Sequence, residues 1–146
     1  MEIIIFTGIQ ASGKSTFYKQ NFFRTHVRIS LDMLKTRIKE DTLLAACIKA
    51  KQSFVVDNTN PTAADRKKYI DMAKDAKCKV IGYYFLTHIE SALQRNSKRE
   101  GKDNIPMAAL RKTYFKLLPP SLEEGFDELY IVNLCEEGSF IISKIV

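Results

Sequence analysis

The stretch GIQASGKST, Gly8 to Thr16, places two glycines five positions apart and follows the second directly with a lysine and a serine. Spacing of the form G-x-x-x-x-G-K-[ST] lets a loop turn its backbone N–H groups toward an anion. The positive end of the helix that follows adds to the attraction. Gly8, Ser12, Gly13, Lys14, Ser15 and Thr16 are therefore the candidates for holding a nucleotide polyphosphate. Lys14 would reach the β- and γ-phosphates, and the Ser15 hydroxyl would take Mg²⁺. This chemistry implies nucleoside triphosphate binding and leaves the reaction open, because ATPases, GTPases and small kinases share such loops.

Phosphoryl transfer needs mostly positioning and charge stabilisation, so the next residues to find are a base and a clamp. Asp32 follows an apolar run at a place where ligands of open α/β sheets bind, and is the candidate general base. The same position in a first helical turn is also favoured by the helix dipole. Asp57 ends the apolar FVV and is the candidate carboxylate for Mg²⁺, together with Ser15. Lys35, Arg37 and Arg66 are candidates for an acceptor's phosphate, although solvation alone explains lysines and arginines equally well. The stretch QRNSKREGK adds Arg95, Lys98, Arg99 and Lys102. On a helix, Arg95 and Arg99 lie four apart and would converge on one anion, the γ-phosphate in transfer.

The elements that must carry these residues alternate. IIIFT, HVRIS, SFVVD, KVIGYYFLT and ELYIV read as strands, and SFIISKIV as a sixth, antiparallel to the fifth after a tight EEG turn. Between them, helices are expected from Lys14 to about Arg24, from near Asp32 with Ser30 as its cap, and from Pro61 or Thr62 to about Asp75. Two more are expected, one from about Glu90 and one led by Pro106 and ended by Pro119 and Pro120. In the Pro106 helix, Met107, Leu110, Tyr114 and Leu117 share a face. Asn58, Thr59 and Asn60 form a turn suited to capping the helix that follows. Alternation of this kind predicts an α/β fold, an open sheet of about five parallel strands covered by helices on both faces; likeness to P-loop NTPase sheets implies the order 2-3-1-4-5.

The 146 residues fit one domain with a real core, 45% hydrophobic and with only six glycines and four prolines. A net charge of +6 favours a polyanionic partner without naming one. Cys47, Cys78 and Cys135 are odd in number and far apart, which suits reduced thiols in the cytoplasm rather than a metal site. No signal peptide or membrane span is expected, and no membrane partner.

Taken together, these motifs resemble the kinase module of polynucleotide 5′-hydroxyl kinases from phage, bacteria and animals. The resemblance runs nearly the full length. It rests on GIQASGKST, ISLDMLK, VVDNTNP with Arg66 after it, QRNSKR, IPMAALRKTYFKL and PSLEEGFDELYIV. It implies a single kinase domain over residues 1–146 that transfers the γ-phosphoryl group of ATP, with Mg²⁺, to the 5′-hydroxyl end of DNA or RNA. In that reading Lys14 and Ser15 hold ATP and metal, and Asp32 is the base. Arg95 and Arg99 belong to a lid around residues 94–106, and EEGF helps shape the adenine site. Two departures stand out. Lys35 replaces a family arginine and cannot make a bidentate phosphate contact, and the interval from Asp32 to Asp57 is short, which implies a more open acceptor channel. No DxDGT motif is present, so no phosphatase activity is expected. Two other readings stay open: a kinase of a nucleoside, nucleotide or sugar, and an ATP-binding module without catalysis.

Overall fold

In the computed structural model, which describes residues 1–146, six strands form one sheet in the order β2-β3-β1-β4-β5-β6. The strands are β1 (Glu2–Thr7), β2 (Val27–Ile29), β3 (Phe54–Val56), β4 (Lys79–Phe85), β5 (Glu128–Leu134) and β6 (Phe140–Ile145). The first five are parallel, and β6 returns antiparallel to β5 through a turn at Cys135–Ser139. The parallel α/β sheet is what the alternating pattern predicts, its order is that expected of a P-loop NTPase-type sheet, and the sixth strand runs in the expected direction.

Alternation along β1 explains why helices cover both faces. Ile3 and Ile5 point into a core built with Leu44, Phe54, Val56, Tyr69 and Ile70, whereas Ile4 and Phe6 point into a second core with Phe17, Tyr18, Phe22 and Phe85. All four β1 residues are fully buried, and each such side chain stabilises the fold by about 1.5–3 kcal/mol. The first core lies under α3 (Arg37–Ala50) and α4 (Ala63–Asp75), the second under α1 (Lys14–Asn21). Beyond the sheet's carboxyl edge, Ala92 of α5 (Ile89–Ser97) and Leu110 of α6 (Met107–Lys116) pack with Ile9 and Ala11 of the glycine loop.

Four local expectations are corrected. The single helix expected from Asp32 is two: α2 (Leu31–Leu34) stops at Lys35, whose φ of 72° is left-handed, and α3 restarts behind Thr36, which caps it by accepting from the Lys39 N–H. Ser30 stands at the start of α2, but its hydroxyl has no partner. The Leu31 N–H instead donates to Asn58 Oδ1 at 2.9 Å. Asn58 thus caps α2 rather than the helix after it, and α4 is closed by a Thr62–Asp65 capping box. On α6 only Leu110 of the expected apolar face is buried; Met107 and Tyr114 remain exposed.

Candidate active site

Because β1, β2 and β3 run parallel, their carboxyl ends deliver the glycine loop, Asp32 and Asp57 to one edge of the sheet. There they line a cleft of about 380 Å³ together with Lys35, Asn58, Arg99 and Lys102.

The loop after β1 is held close by packing. A Cβ on Gly8 would lie 2.8 Å from the Phe85 Cβ, and Gly13, at φ 96°, leaves room for the Phe140 ring. The antiparallel return of β6 brings that ring to the loop, so the last strand helps shape the first motif. Ser12 is buried, and Ser12 through Thr16 line the cleft. The Lys14 ammonium, buried at the start of α1, donates to the carbonyls of Gly8 at 2.9 Å and Ile9 at 2.6 Å. The ammonium thus folds back onto the glycine loop that precedes it. Burial pushes this ammonium down to about 8, while the Asp57 and Asp32 carboxylates pull it upward.

Ser15 Oγ lies 3.1 Å from Asp57 Oδ2, a hydroxyl and a carboxylate of the hard-oxygen type that Mg²⁺ prefers. Arg28 of β2 reaches the same pair. Its Nε donates to Asp57 Oδ2 at 2.8 Å and its Nη2 to Ser15 Oγ at 3.0 Å. Asp57 itself is 4% exposed.

Asp32 is exposed in the cleft on the one turn of α2. That turn is held by a chain of hydrogen bonds. Asn58 accepts from the Leu31 N–H, and its Nδ2 donates to Glu40 Oε2 at 3.0 Å. Glu40 is fully buried and also accepts from Arg37, Lys68 and the Tyr69 hydroxyl. Burial alone would raise the Glu40 carboxyl; hydrogen bonds from Lys68, Arg37 and Asn58 outweigh it and hold the group below the usual range. A second cavity of about 270 Å³ shares Leu31, Asn58 and Thr59 with the first and is lined by Arg37, Lys112 and Lys116.

The basic stretch divides differently from the expected helical pair. α5 ends at Ser97, so Arg99 lies beyond the helix. Arg99 and Lys102 face the cleft, while Arg95 Nε is tied to the Ala11 carbonyl at 2.6 Å and its Nη2 is buried without a partner. Burial, and then the neighbouring Arg99 charge, lower the Arg95 pKa. The segment that carries Arg99 and Lys102 is pinned at its two ends by Asn96, which exchanges two hydrogen bonds with the Ile105 backbone.

Two expectations fail on burial. Arg66 is 1% exposed and forks onto Glu124, with Nε to Oε1 at 2.7 Å and Nη2 to Oε2 at 3.0 Å. Its Nη1 donates to the Asn60 and Leu118 carbonyls. Four of its five N–H groups are engaged inside the fold and it lines neither cavity, so it is a structural brace. The EEGF turn is the other half of that brace. Phe126 is buried against Gly82 in the core under α4, so the turn does not line the cleft. Sequence reasoning passed over Arg28, Glu40 and Asn96. The one available signal was a charged residue inside a short apolar strand, at Arg28.

A family profile described as "AAA domain" matches residues 3–118, and the chain belongs to that family, as a P-loop kinase. Among curated proteins it is 30% identical over 129 residues to the bifunctional polynucleotide phosphatase/kinase of Schizosaccharomyces pombe, covering 86% of this chain and 32% of that protein. It is 35% identical over 150 residues to a putative bifunctional polynucleotide phosphatase/kinase of Acanthamoeba polyphaga mimivirus, covering 96% and 35%. The chain thus spans about a third of the length of these two relatives. An L-seryl-tRNA(Sec) kinase of Methanococcus maripaludis is 24% identical over 86% of this chain and 56% of its own. In fold, the chain is similar to Chaetomium thermophilum Kti12 in complex with ADP-AlF3, with a TM-score of 0.72, 17% identity and 92% of each chain covered. No helix is long and apolar enough to cross a membrane.

Proposed function

We propose that residues 1–146 work as one kinase domain that moves the γ-phosphoryl group of ATP to the 5′-hydroxyl end of DNA or RNA. The observation that carries this reading is the junction of two cavities at Leu31, beside Asp32, one lined by the phosphate loop and the other by Arg37, Lys112 and Lys116. A strand whose 5′ end reaches Asp32 can lay its next phosphates along the second cavity. The similarity to polynucleotide phosphatase/kinases supports the same substrate class.

In this mechanism the loop N–H groups and Lys14 hold the β- and γ-phosphates, and Arg99 with Lys102 closes over them in a lid spanning about 94–106. Asp32 takes the proton of the attacking hydroxyl as its oxygen bonds to phosphorus and the bond to the β-phosphate oxygen breaks. Lys35 and Arg37 meet the acceptor's phosphate. The Ser15 hydroxyl and Asp57 carboxylate would hold Mg²⁺, which would supply charge neutralisation to the transferring phosphoryl group.

The test is transfer of labelled γ-phosphate, with Mg²⁺, to 5′-hydroxyl DNA and RNA oligonucleotides, single nucleosides, nucleotides and sugars. Oligonucleotides are expected to be phosphorylated. Asp32→Asn is expected to keep ATP affinity while losing about 10²–10⁴ in rate. Transfer to nucleosides or sugars alone would replace this reading by that of a metabolite kinase. Tight ATP binding with no turnover of any acceptor would replace it by that of a binding module.

A further inference from the structure

Arg28 makes a closed triangle with the two groups suited to Mg²⁺. It donates to Asp57 Oδ2 through Nε and to Ser15 Oγ through Nη2, while the Ser15 hydroxyl spends its one proton on the same Asp57 oxygen. Asp57 Oδ2 and one lone pair of Ser15 Oγ are therefore engaged, and a guanidinium charge stands beside the two groups that a divalent ion would need. The pair is not a loose surface contact: the Asp57 side chain is 2% exposed and that of Arg28 27%. The strand that carries Arg28 pairs in register with β3, opposite Val55, two residues before Asp57, so the guanidinium is aimed by the sheet itself.

We propose that Arg28 is a resident cation that keeps the divalent-metal position shut in the nucleotide-free protein. Metal enters with the nucleotide, because the phosphate oxygens offer the displaced guanidinium new acceptors and bring ligands of their own. The consequence is an order of events: the free chain discriminates against bare Mg²⁺ and accepts the metal–nucleotide complex.

The inference rests on the metal assignment to Ser15 and Asp57 and is independent of the acceptor. The experiment is a titration of the nucleotide-free full chain with Mn²⁺, free ion being read by electron paramagnetic resonance. It compares wild type, Arg28→Gln, Arg28→Lys and Arg28→Gln combined with Asp57→Asn. Removing one positive charge beside a divalent ion is worth a factor of about ten or more even at a water-like dielectric, so Arg28→Gln is expected to bind Mn²⁺ at least about tenfold more tightly. Arg28→Lys, a point charge that cannot fork onto both oxygens, is expected to fall between. The gain is expected to vanish with Asp57→Asn. Equal affinity in wild type and both single variants would overturn the proposal, as would a gain that survives loss of Asp57. No acceptor is present in this assay, so a failure to phosphorylate oligonucleotides leaves its outcome untouched.

Discussion

At the scale of single residues, the most consequential property of the site is the charge on Lys14. Its ammonium is buried on the carbonyls of Gly8 and Ile9, and desolvation brings it from the ordinary 10.5 to about 8. Below about pH 8 the free protein carries the charge that a phosphate needs; above it the lysine is increasingly neutral. Phosphate binding favours the charged form, so the pKa rises in the complex and a proton is taken up on binding at pH 8 to 9. Nucleotide affinity is therefore expected to be flat from pH 6.5 to 7.5 and to weaken progressively above about 8. Calorimetry in buffers of different ionisation enthalpy would reveal the uptake. For folding the sign is separate. The folded chain holds fewer protons than the unfolded between about 8 and 10.5, so the cost of burying this charge is relieved as pH rises through that window.

At the scale of elements, α4 is tied to the loop that follows α6 by the Arg66–Glu124 fork, and the same guanidinium collects the Asn60 and Leu118 carbonyls. One side chain thus joins the β3–α4 turn, the chain after α6 and the 3₁₀ turn at Leu122–Glu124. Removing Glu124 leaves Arg66 as a buried charge without its partner. Glu124→Ala is accordingly expected to destabilise the fold by about 3–5 kcal/mol, measured as a shifted urea midpoint. Asp32 and Lys14 lie on other elements, so nucleotide affinity in the folded fraction should persist. The α2 turn shows the opposite economy. Four residues cannot hold themselves as a helix, so Asn58 and the buried Glu40 hold the turn from outside.

At the scale of the molecule, a net charge of +6 carries no position. The two cavities differ in balance: in the first, Lys14, Lys35, Arg99 and Lys102 stand against Asp32, Asp57 and Asp103, while in the second Arg37, Lys112 and Lys116 face Asp65 alone. If the second cavity grips three phosphates of a single strand, counterion release implies a log–log salt slope of about −2 for acceptor binding. KM for an oligonucleotide is expected to rise about tenfold or more between 50 and 200 mM salt on this estimate, with kcat little changed. KM for a mononucleotide acceptor should move far less. A steady-state salt series on both acceptors measures this, and equal salt dependence would remove the second cavity from acceptor binding.

The glycine loop between β1 and α1, Asp32 just past β2, Asp57 at the end of β3 and the alternation of strands with helices were legible in the amino-acid sequence because each depends on local physics. Glycine spacing within one loop, an apolar run of strand length and a proline at a helix start act over a few residues. What only the tertiary structure decided joins residues far apart in the chain. Arg66 reads as a free arginine until Glu124, 58 residues on, is folded against it. QRNSKR reads as one helical face until α5 stops at Ser97 and the Ala11 carbonyl claims Arg95. Arg28 is one charge in a short strand until the register of β2 on β3 aims it at Asp57 and Ser15. Desolvation and long-range pairing determine whether a charged side chain braces the fold or faces a ligand, and both arise only when the sheet has brought the segments together.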